Sequence, residues 1–233
     1  MGRRSTQRPE QALLPGFEHL GDRAIGAGHD YGRIAGVDEV GRGALFGPVV
    51  ASAVILSAAT GDRLRAAGVT DSKQLSAAQR QTLAQEIRAI AIACRIGYAS
   101  VREIDRLNIL QASLLAMKRA IQRLHPVPTL CLIDGNQTVP GLVIPQQTLV
   151  KGDQRSLAIA AASIVAKVWR DELIRRMALK YPEYHLAANK GYGTQAHRQA
   201  LLTHGPTPYH RQSFSPCKPT AAPIDPASQP EQP

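Results

Sequence analysis

The sequence predicts an α/β fold, because short apolar runs with the length of strands alternate along the chain with segments of helical periodicity. The predicted strands occupy the runs at residues 34–37, 49–56, 94–99, 129–133 and 142–150. Helices are predicted to begin after three serines, namely Ser76, Ser100 and Ser156. A chain of 233 residues with 44% hydrophobic content is long and apolar enough for one domain with a sizeable core.

The first two helix starts carry capping boxes, in which a serine and a side chain three residues later satisfy each other's backbone N–H groups. Ser76 pairs in this way with Gln79, and Ser100 with Glu103. The periodicity predicts that the second of these helices runs unbroken to about Leu124, before two prolines.

The helix that follows Ser156 is predicted to reach about Lys180. Its first half is apolar nearly all round, which indicates a position in the middle of the fold rather than on its surface. A short helix at 195–203 is predicted between Thr194 as its N-cap and Gly205 at its end.

The charge of the chain favours a polyanionic partner. The formal net charge is +10 and the pI about 9.9, and residues 151–218 contain 11 Lys/Arg against 4 Asp/Glu. Such a concentrated basic excess is typical of nucleic-acid binding, although a merely basic surface is the alternative.

No apolar run reaches the 18 residues that a membrane helix needs, so no membrane association is expected. The three cysteines lie far apart and form neither a disulfide framework nor a C-x-x-C pair, so a reducing, cytoplasmic location is expected. Nothing indicates an obligate oligomer, so a monomer is the default expectation.

The most informative stretch is residues 34–50, where Asp38 and Glu39 follow a buried run and precede Gly41-Arg42-Gly43. One interpretation is an ordinary loop with solvated acids. A dinucleotide-binding loop is disfavoured, because Pro48 and a second strand follow the glycines where a helix would be required. The third interpretation is a divalent-metal site at a strand end, which needs further acids.

Further acids occur in equivalent positions. Asp134 follows the run at 129–133, and Asp153 follows the run at 142–150. Because ligand sites of open α/β sheets form at strand ends, these acids together with Asp38 and Glu39 could build an all-oxygen site for Mg²⁺ or Mn²⁺. Any one of them alone is more typical of a turn.

Seven segments, in order over about residues 34–216, resemble the motifs of type 2 ribonuclease H (ribonuclease HII). They are GVDEVGRG at 36–43, DSKQL at 71–75, LIDGN at 132–136, KGD at 151–153, AASIVAKV at 161–168, KGY at 190–192 and HRQSF at 210–214. The resemblance implies an RNase H-like fold, with a mixed five-stranded sheet flanked by helices and a helical C-terminal segment at about 182–217. The implied catalytic domain is 31–217, between a flexible leader (1–30) and a disordered tail (218–233).

The resemblance also implies the activity. It is endonucleolytic cleavage of the RNA strand of RNA/DNA hybrids and incision 5′ of single ribonucleotides in duplex DNA, giving 5′-phosphate and 3′-hydroxyl ends with Mn²⁺ or Mg²⁺. The implied catalytic and metal-binding residues are Asp38, Glu39, Asp134 and Asp153. The implied substrate contacts are the Gly41-Arg42-Gly43 backbone at the 2′-hydroxyl, Tyr192 stacking on the adjacent sugar, and Lys73 at a phosphate.

Two other hypotheses stay open at this point. A non-catalytic hybrid-binding module on the same fold would have no use for four acids facing an anionic ligand. A structure-selective DNA nuclease would not need the Gly41-Arg42-Gly43 and Tyr192 pair. Four histidines are expected at the surface or at helix ends, because their spacing matches no common zinc site; they are His185, His197, His204 and His210.

Overall fold

The structure is a computed structural model that describes residues 28, 30–69 and 75–218. Its framework is a five-stranded mixed sheet with the order β3-β2-β1-β4-β5. The strands are β1 (Ile34–Val40), β2 (Val49–Ile55), β3 (Ala93–Ala99), β4 (Leu130–Asp134) and β5 (Gln146–Leu149). The first three strands are mutually antiparallel, whereas β4 runs parallel to β1 and β5 parallel to β4.

Helices cover both faces of this sheet. They are α1 (Ala58–Ala66), α2 (Ala77–Ile90), α3 (Val101–Leu107), α4 (Ile109–Gln122), α5 (Leu157–Ala178), α6 (Leu186–Asn189) and α7 (Gln195–His204). Four short 3₁₀ turns lie at Tyr31–Arg33, Gly152–Gln154, Pro182–Tyr184 and Ser215–Cys217. Residues of β1 and β2 alternate between the two faces, as the period of a strand requires, so that one set packs against α3 and α4 and the other against α1, α2 and α5.

The helix α5 lies directly on the central strand, as its apolar first half predicts. Gly36 of β1 makes this possible, because a Cβ built on it would lie 2.1 Å from the carbonyl carbon of Ala158. Twelve residues of α5 are buried. The helix thereby brings Ser163 and Lys167 to the end of the sheet where β1 finishes.

The predicted strands are confirmed, with one correction that matters for the site. Asp38 and Glu39 lie inside β1 rather than after it, since the strand pairs with β2 as far as Val40 and Val50. On its other side β1 pairs with β4 only up to Val37. At Asp38 and Glu39, β1 is therefore paired with β2 but no longer with β4. The run expected at 142–150 is also shorter, because β5 covers only Gln146–Leu149.

The prediction of an unbroken helix from Ser100 to about Leu124 is wrong. The chain breaks at Asn108, whose φ of 71° lies in the left-handed region that asparagine tolerates better than most residues. Asn108 ends α3 and caps α4, where its side-chain oxygen accepts a hydrogen bond of 3.1 Å from the N–H of Gln111. The helix α1 was not predicted, and it begins with a capping box between Ser57 and Thr60 instead of the usual Glu or Gln.

The C-terminal segment forms a separate small core with the loop between β1 and β2. Leu45 and Phe46 of that loop pack against Tyr184, α6 and α7. The expected leader at 1–30 and tail at 218–233 lie outside the described residues, apart from Gly28, Asp30 and Lys218. Lys73 also lies outside them. Within the described part of the chain, no helix is both long enough and apolar enough to cross a bilayer.

Candidate metal centre and nucleic-acid interface

A cavity of about 340 Å³ opens where β1 and β4 end, and the four predicted acids line it. They are Asp38, Glu39, Asp134 and Asp153. Besides Val40, four residues with polar side chains also line it: Arg80 from α2, Ser163 and Lys167 from α5, and Tyr192 from the C-terminal segment. The acids come from three separate segments, so this cavity is formed by the fold and not by one local motif.

Strand register brings the first three acids together. Val37 of β1 is level with Ile133 of the parallel strand β4, so Asp38 and Asp134 are the next residues of neighbouring strands. The fourth acid is carried by the turn after β5. There the N–H of Gly152 donates a hydrogen bond of 2.7 Å to Asp134 Oδ1, which ties the turn carrying Asp153 to the end of β4.

Burial and like charge govern the titration of the acids. Asp38 is only 6% exposed, and burial followed by the charges of Glu39 and Asp134 raises its pKa well above the usual range. Hydrogen bonds from the Ser163 side chain and from the Glu39 N–H, the latter 2.7 Å long, oppose this rise. Burial and Asp134 also raise the pKa of Glu39, which an ion pair of 3.5 Å with Arg42 partly offsets.

The donor set fits a divalent cation. The potential metal ligands in the cavity lining are carboxylate oxygens, and the lining formed by the described residues includes no histidine or cysteine. Oxygen ligands are those that Mg²⁺ and Mn²⁺ prefer. The neighbouring acids contribute to the raised pKa of Asp38 and of Glu39, so an added positive charge would favour the ionised forms of these two carboxyls. Within the described residues no three Asp, Glu, His or Cys side chains already stand in a finished ligand arrangement, and Asp38 and Asp134 each accept a backbone hydrogen bond instead.

The predicted substrate-binding loop borders the same cavity. Gly41 is buried with a φ of 92°, whereas Arg42 and Gly43 are exposed. A Cβ added to Gly43 would meet no atom within 4 Å, so the surface over this residue is open to a ligand. The loop joins the C-terminal segment through an isolated β-bridge between Ala44 and Tyr192.

Tyr192 connects the loop to α5. Its ring lies 5.8 Å from the Lys167 ammonium and 5.5 Å from the Arg170 guanidinium, distances typical of cation–π contacts. Thus the structure brings every predicted site residue that it describes to one region. The sequence analysis does not name three residues of the cavity, namely Arg80, Ser163 and Lys167. Two of them, Ser163 and Lys167, lie in the AASIVAKV segment, whose resemblance to a family motif is the signal that could have found them.

Comparison with known proteins identifies the family. The family model described as Ribonuclease HII matches residues 35–217, which is most of the chain. The chain belongs to the ribonuclease HII family. The ribonuclease HII of Trichodesmium erythraeum (strain IMS101) is 64% identical over 186 residues, covering 80% of this chain and 88% of the relative.

Solved structures agree with the fold. The ribonuclease H2 of Pyrococcus horikoshii OT3 superposes with a TM-score of 0.67 at 27% identity, over 79% of this chain and 94% of that one. Bst-RNase HIII, solved in complex with Mn²⁺, gives a TM-score of 0.66 at 20% identity, over 92% of this chain and 74% of that one. At this identity the likeness supports the fold and nothing more. The RNase H-like fold predicted for this chain is confirmed.

Family membership also confirms the class of activity. As a ribonuclease HII, the protein is an endoribonuclease that acts on the RNA of RNA/DNA hybrids, so its partner is nucleic acid. The family is dependent on a divalent metal. The hypothesis of a non-catalytic binding module therefore loses its support.

Proposed function

We propose that this ribonuclease HII incises 5′ of single ribonucleotides in duplex DNA as well as cutting longer hybrids, with Asp38, Glu39, Asp134 and Asp153 as its catalytic carboxylates. The observation that supports the proposal is that all four acids line one cavity beside the Gly41–Gly43 loop and Tyr192. The loop that we assign to reading the ribose thus lies next to the four carboxylates.

The four carboxylates are proposed to hold Mn²⁺ or Mg²⁺. When bound, such an ion supplies positive charge that activates the attacking water and stabilises the leaving 3′-oxygen of an in-line phosphoryl transfer. The protein's own part is to fix the acids. The Ser163 side chain holds Asp38, Gly152 holds Asp134 through its N–H, and Arg42 holds Glu39.

Other residues of the cavity suit a nucleic-acid strand. Arg80 and Lys167 place positive charge at the rim, where it favours phosphates and makes affinity depend on salt. Lys167 also pairs with Asp171 at 2.9 Å, which limits its mobility. Discrimination of RNA from DNA at one position requires contact with the 2′-hydroxyl. We assign this contact to the backbone of Gly41, Arg42 and Gly43. The Tyr192 ring is assigned to stacking on the adjacent sugar.

We propose further that residues 31–217 are the catalytic domain, that Lys73 contacts a phosphate, and that the protein acts as a monomer in the cytoplasm. Its three cysteines are free thiols, as expected in a reducing compartment: Cys94, Cys131 and Cys217.

The test uses three substrates, namely a DNA duplex with one ribonucleotide, an all-DNA duplex and a long RNA/DNA hybrid, each with Mn²⁺ or Mg²⁺, and Asp38→Asn is assayed in parallel. A single nick 5′ of the ribonucleotide, absent from the control duplex and from the variant, is the expected result. Cleavage of long hybrids without the single nick would limit the function to hybrids. Cutting of the all-DNA duplex would favour a structure-selective DNA nuclease.

A further inference from the structure

Two fully buried arginines lie behind the loop between β1 and β2. Arg170 of α5 and Arg211 of the C-terminal segment are both 0% exposed. Neither forms an ion pair with a carboxylate among the described residues. Asp171 interacts electrostatically with Arg170, and Asp105 with Arg211, but both do so without an ion-pair contact. Burying a cation in this way is costly, so a purely structural role would be served as well by apolar side chains.

Every guanidinium hydrogen bond of the pair goes to a backbone carbonyl. Arg211 donates to the carbonyls of Gly41 at 2.6 Å, Arg42 at 2.7 Å and Gly47 at 3.1 Å. Arg170 donates to the carbonyls of Phe46 at 3.0 Å, Pro48 at 3.1 Å and Lys190 at 2.9 Å. Five of these six carbonyls belong to residues 41–48, so the two side chains determine which way this loop faces.

The direction of the carbonyls fixes the direction of the amides. In a planar trans peptide the C=O of one residue and the N–H of the next point in opposite directions. Because the carbonyls of Gly41 and Arg42 point inward to Arg211, the N–H groups of Arg42 and Gly43 point outward, and neither donates to another described residue. They face the open surface over Gly43.

Arg170 links this loop to Tyr192. A Cβ added to Gly41 would lie 2.2 Å from Arg170 Nε, so the arginine packs directly on the glycine. The same guanidinium lies 5.5 Å from the centre of the Tyr192 ring. Both groups assigned to ribonucleotide recognition, the loop amides and the Tyr192 ring, therefore rest on one side chain.

We propose that Arg170 and Arg211 are positioning residues for ribonucleotide recognition, which hold the loop so that the N–H groups of Arg42 and Gly43 face the 2′-hydroxyl. Positive charge behind these peptides also polarises the N–H groups in front, which strengthens a hydrogen bond to an oxygen. This inference rests on the proposed function, since it assumes that the loop reads the ribose. Burial, and for Arg211 the neighbouring charge of Arg170, lowers the pKa of both guanidinium groups, in agreement with their uncompensated setting.

The test measures binding, so that it does not depend on turnover. In the inactive Asp38→Asn background, dissociation constants are compared for an all-DNA duplex and for the same duplex with one ribonucleotide. Lysine keeps the charge of arginine but has no planar fork to hold three carbonyls. Arg211→Lys and Arg170→Lys are expected to reduce the preference for the ribonucleotide about tenfold, with affinity for the all-DNA duplex within about twofold of the parent. Arg176→Lys, at an exposed position of α5 that pairs with Glu172, is the matched control and is expected to keep the preference.

Gly43→Ala covers the case in which the lysine variants fail to fold. The added methyl meets no protein atom, so the protein folds, and the methyl obstructs the face of the loop that carries the outward N–H groups. An unchanged preference in this variant, or in a folded Arg211→Lys, overturns the proposal. A parent protein with no preference at all overturns it together with the assignment of 2′-hydroxyl reading to the loop. The nicking assay with active enzyme then decides independently whether single ribonucleotides are substrates.

Discussion

His197 Nε2 and His210 Nε2 lie 3.0 Å apart in the core of the C-terminal segment. The N–H of Thr207 donates to His210 Nδ1, so the proton of neutral His210 is on its Nε2, which donates to His197. The remaining proton of His197 is then on Nδ1, 3.0 Å from the carbonyl oxygen of Tyr192. This chain of hydrogen bonds anchors the backbone of Tyr192, and it works only while both rings are neutral.

The pair predicts a loss of stability in mild acid. Burial, together with the charge of His197, lowers the pKa of His210 from 6.5 to about 4, and burial also lowers the pKa of His197. A histidine with a lowered folded-state pKa must lose its proton on folding below pH 6.5. The contribution of the histidine pair to the free energy of unfolding therefore declines from about pH 6.5 downward, and the part due to His210 levels off below about pH 4. The contribution of His210 to this decline is roughly 3 kcal/mol.

The measurement is chemical denaturation of the wild type and of His210→Gln at several pH values, with the exposed His204→Gln as control. The stability difference between wild type and His210→Gln should shrink as the pH falls through this window. A difference that stays constant with pH would mean that the histidine pair does not titrate as described. The control should follow the wild type throughout.

The Asp38 carboxyl predicts a separation of activity from stability. Asp38→Asn should abolish nicking and leave the metal-free fold as stable as the wild type or more so, because burial disfavours the Asp38 carboxylate and the charges of Glu39 and Asp134 repel it. The pKa of Asp38 is higher in the folded than in the unfolded protein, so the fold is destabilised as the pH rises through the raised pKa and the Asp38 carboxyl ionises. This stability is regained as the pH falls through the same pKa. Thermal melting in chelator checks this, and a clear drop in the melting temperature of the variant would assign Asp38 a structural role.

How far the sequence predicts this site depends on the range of the interactions. Asp38, Glu39, Asp134 and Asp153 could be found because each follows or ends an apolar run, and strand ends converge in such a sheet. Even so, the run did not reveal that β1 continues through Glu39, since that depends on pairing with β2. Local signals were sufficient for the capping boxes at Ser76 and Ser100, which involve residues three apart.

The interactions behind the loop could not be predicted in this way. Arg211 contacts carbonyls 164 to 170 residues earlier in the chain, and nothing in the local sequence marks a buried arginine. The expectation that the histidines lie at the surface or at helix ends fits the exposed His185 and His204. It also fits His197, which is buried but lies in the first turn of α7, and it is wrong for the buried His210. His210 is held in the core by its bridge to Phe46, another pairing over a long sequence separation.

We expect the aromatic ring of Tyr192, and not its hydroxyl group, to contribute to the nicking rate. Tyr192→Ala should lower the nicking rate at a single ribonucleotide about tenfold, because a stacking surface for the sugar is lost, whereas Tyr192→Phe should retain most of the activity. The histidine chain binds the backbone carbonyl of Tyr192 and not its side chain, so neither change should disturb that anchor. Single-turnover nicking of the three proteins checks the order. Equal loss in the Phe variant would show that the hydroxyl, rather than the ring face, is required.

Substitution by alanine is expected to have very different effects on stability at Gly36 and at Gly43. A methyl on Gly36 would lie 2.1 Å from the carbonyl carbon of Ala158 and 2.3 Å from the nitrogen of Ile159, both backbone atoms of α5 that cannot turn away. Gly36→Ala must push α5 off the central strand, at a cost of about 3 kcal/mol or more in the free energy of unfolding. Gly43→Ala introduces its methyl where no atom lies within 4 Å and should change stability by less than about 0.5 kcal/mol. Urea denaturation of the two variants provides the comparison. Wild-type stability in Gly36→Ala would mean that α5 does not pack on β1 as closely as described, and the position of Ser163 over Asp38 would have to be revised with it.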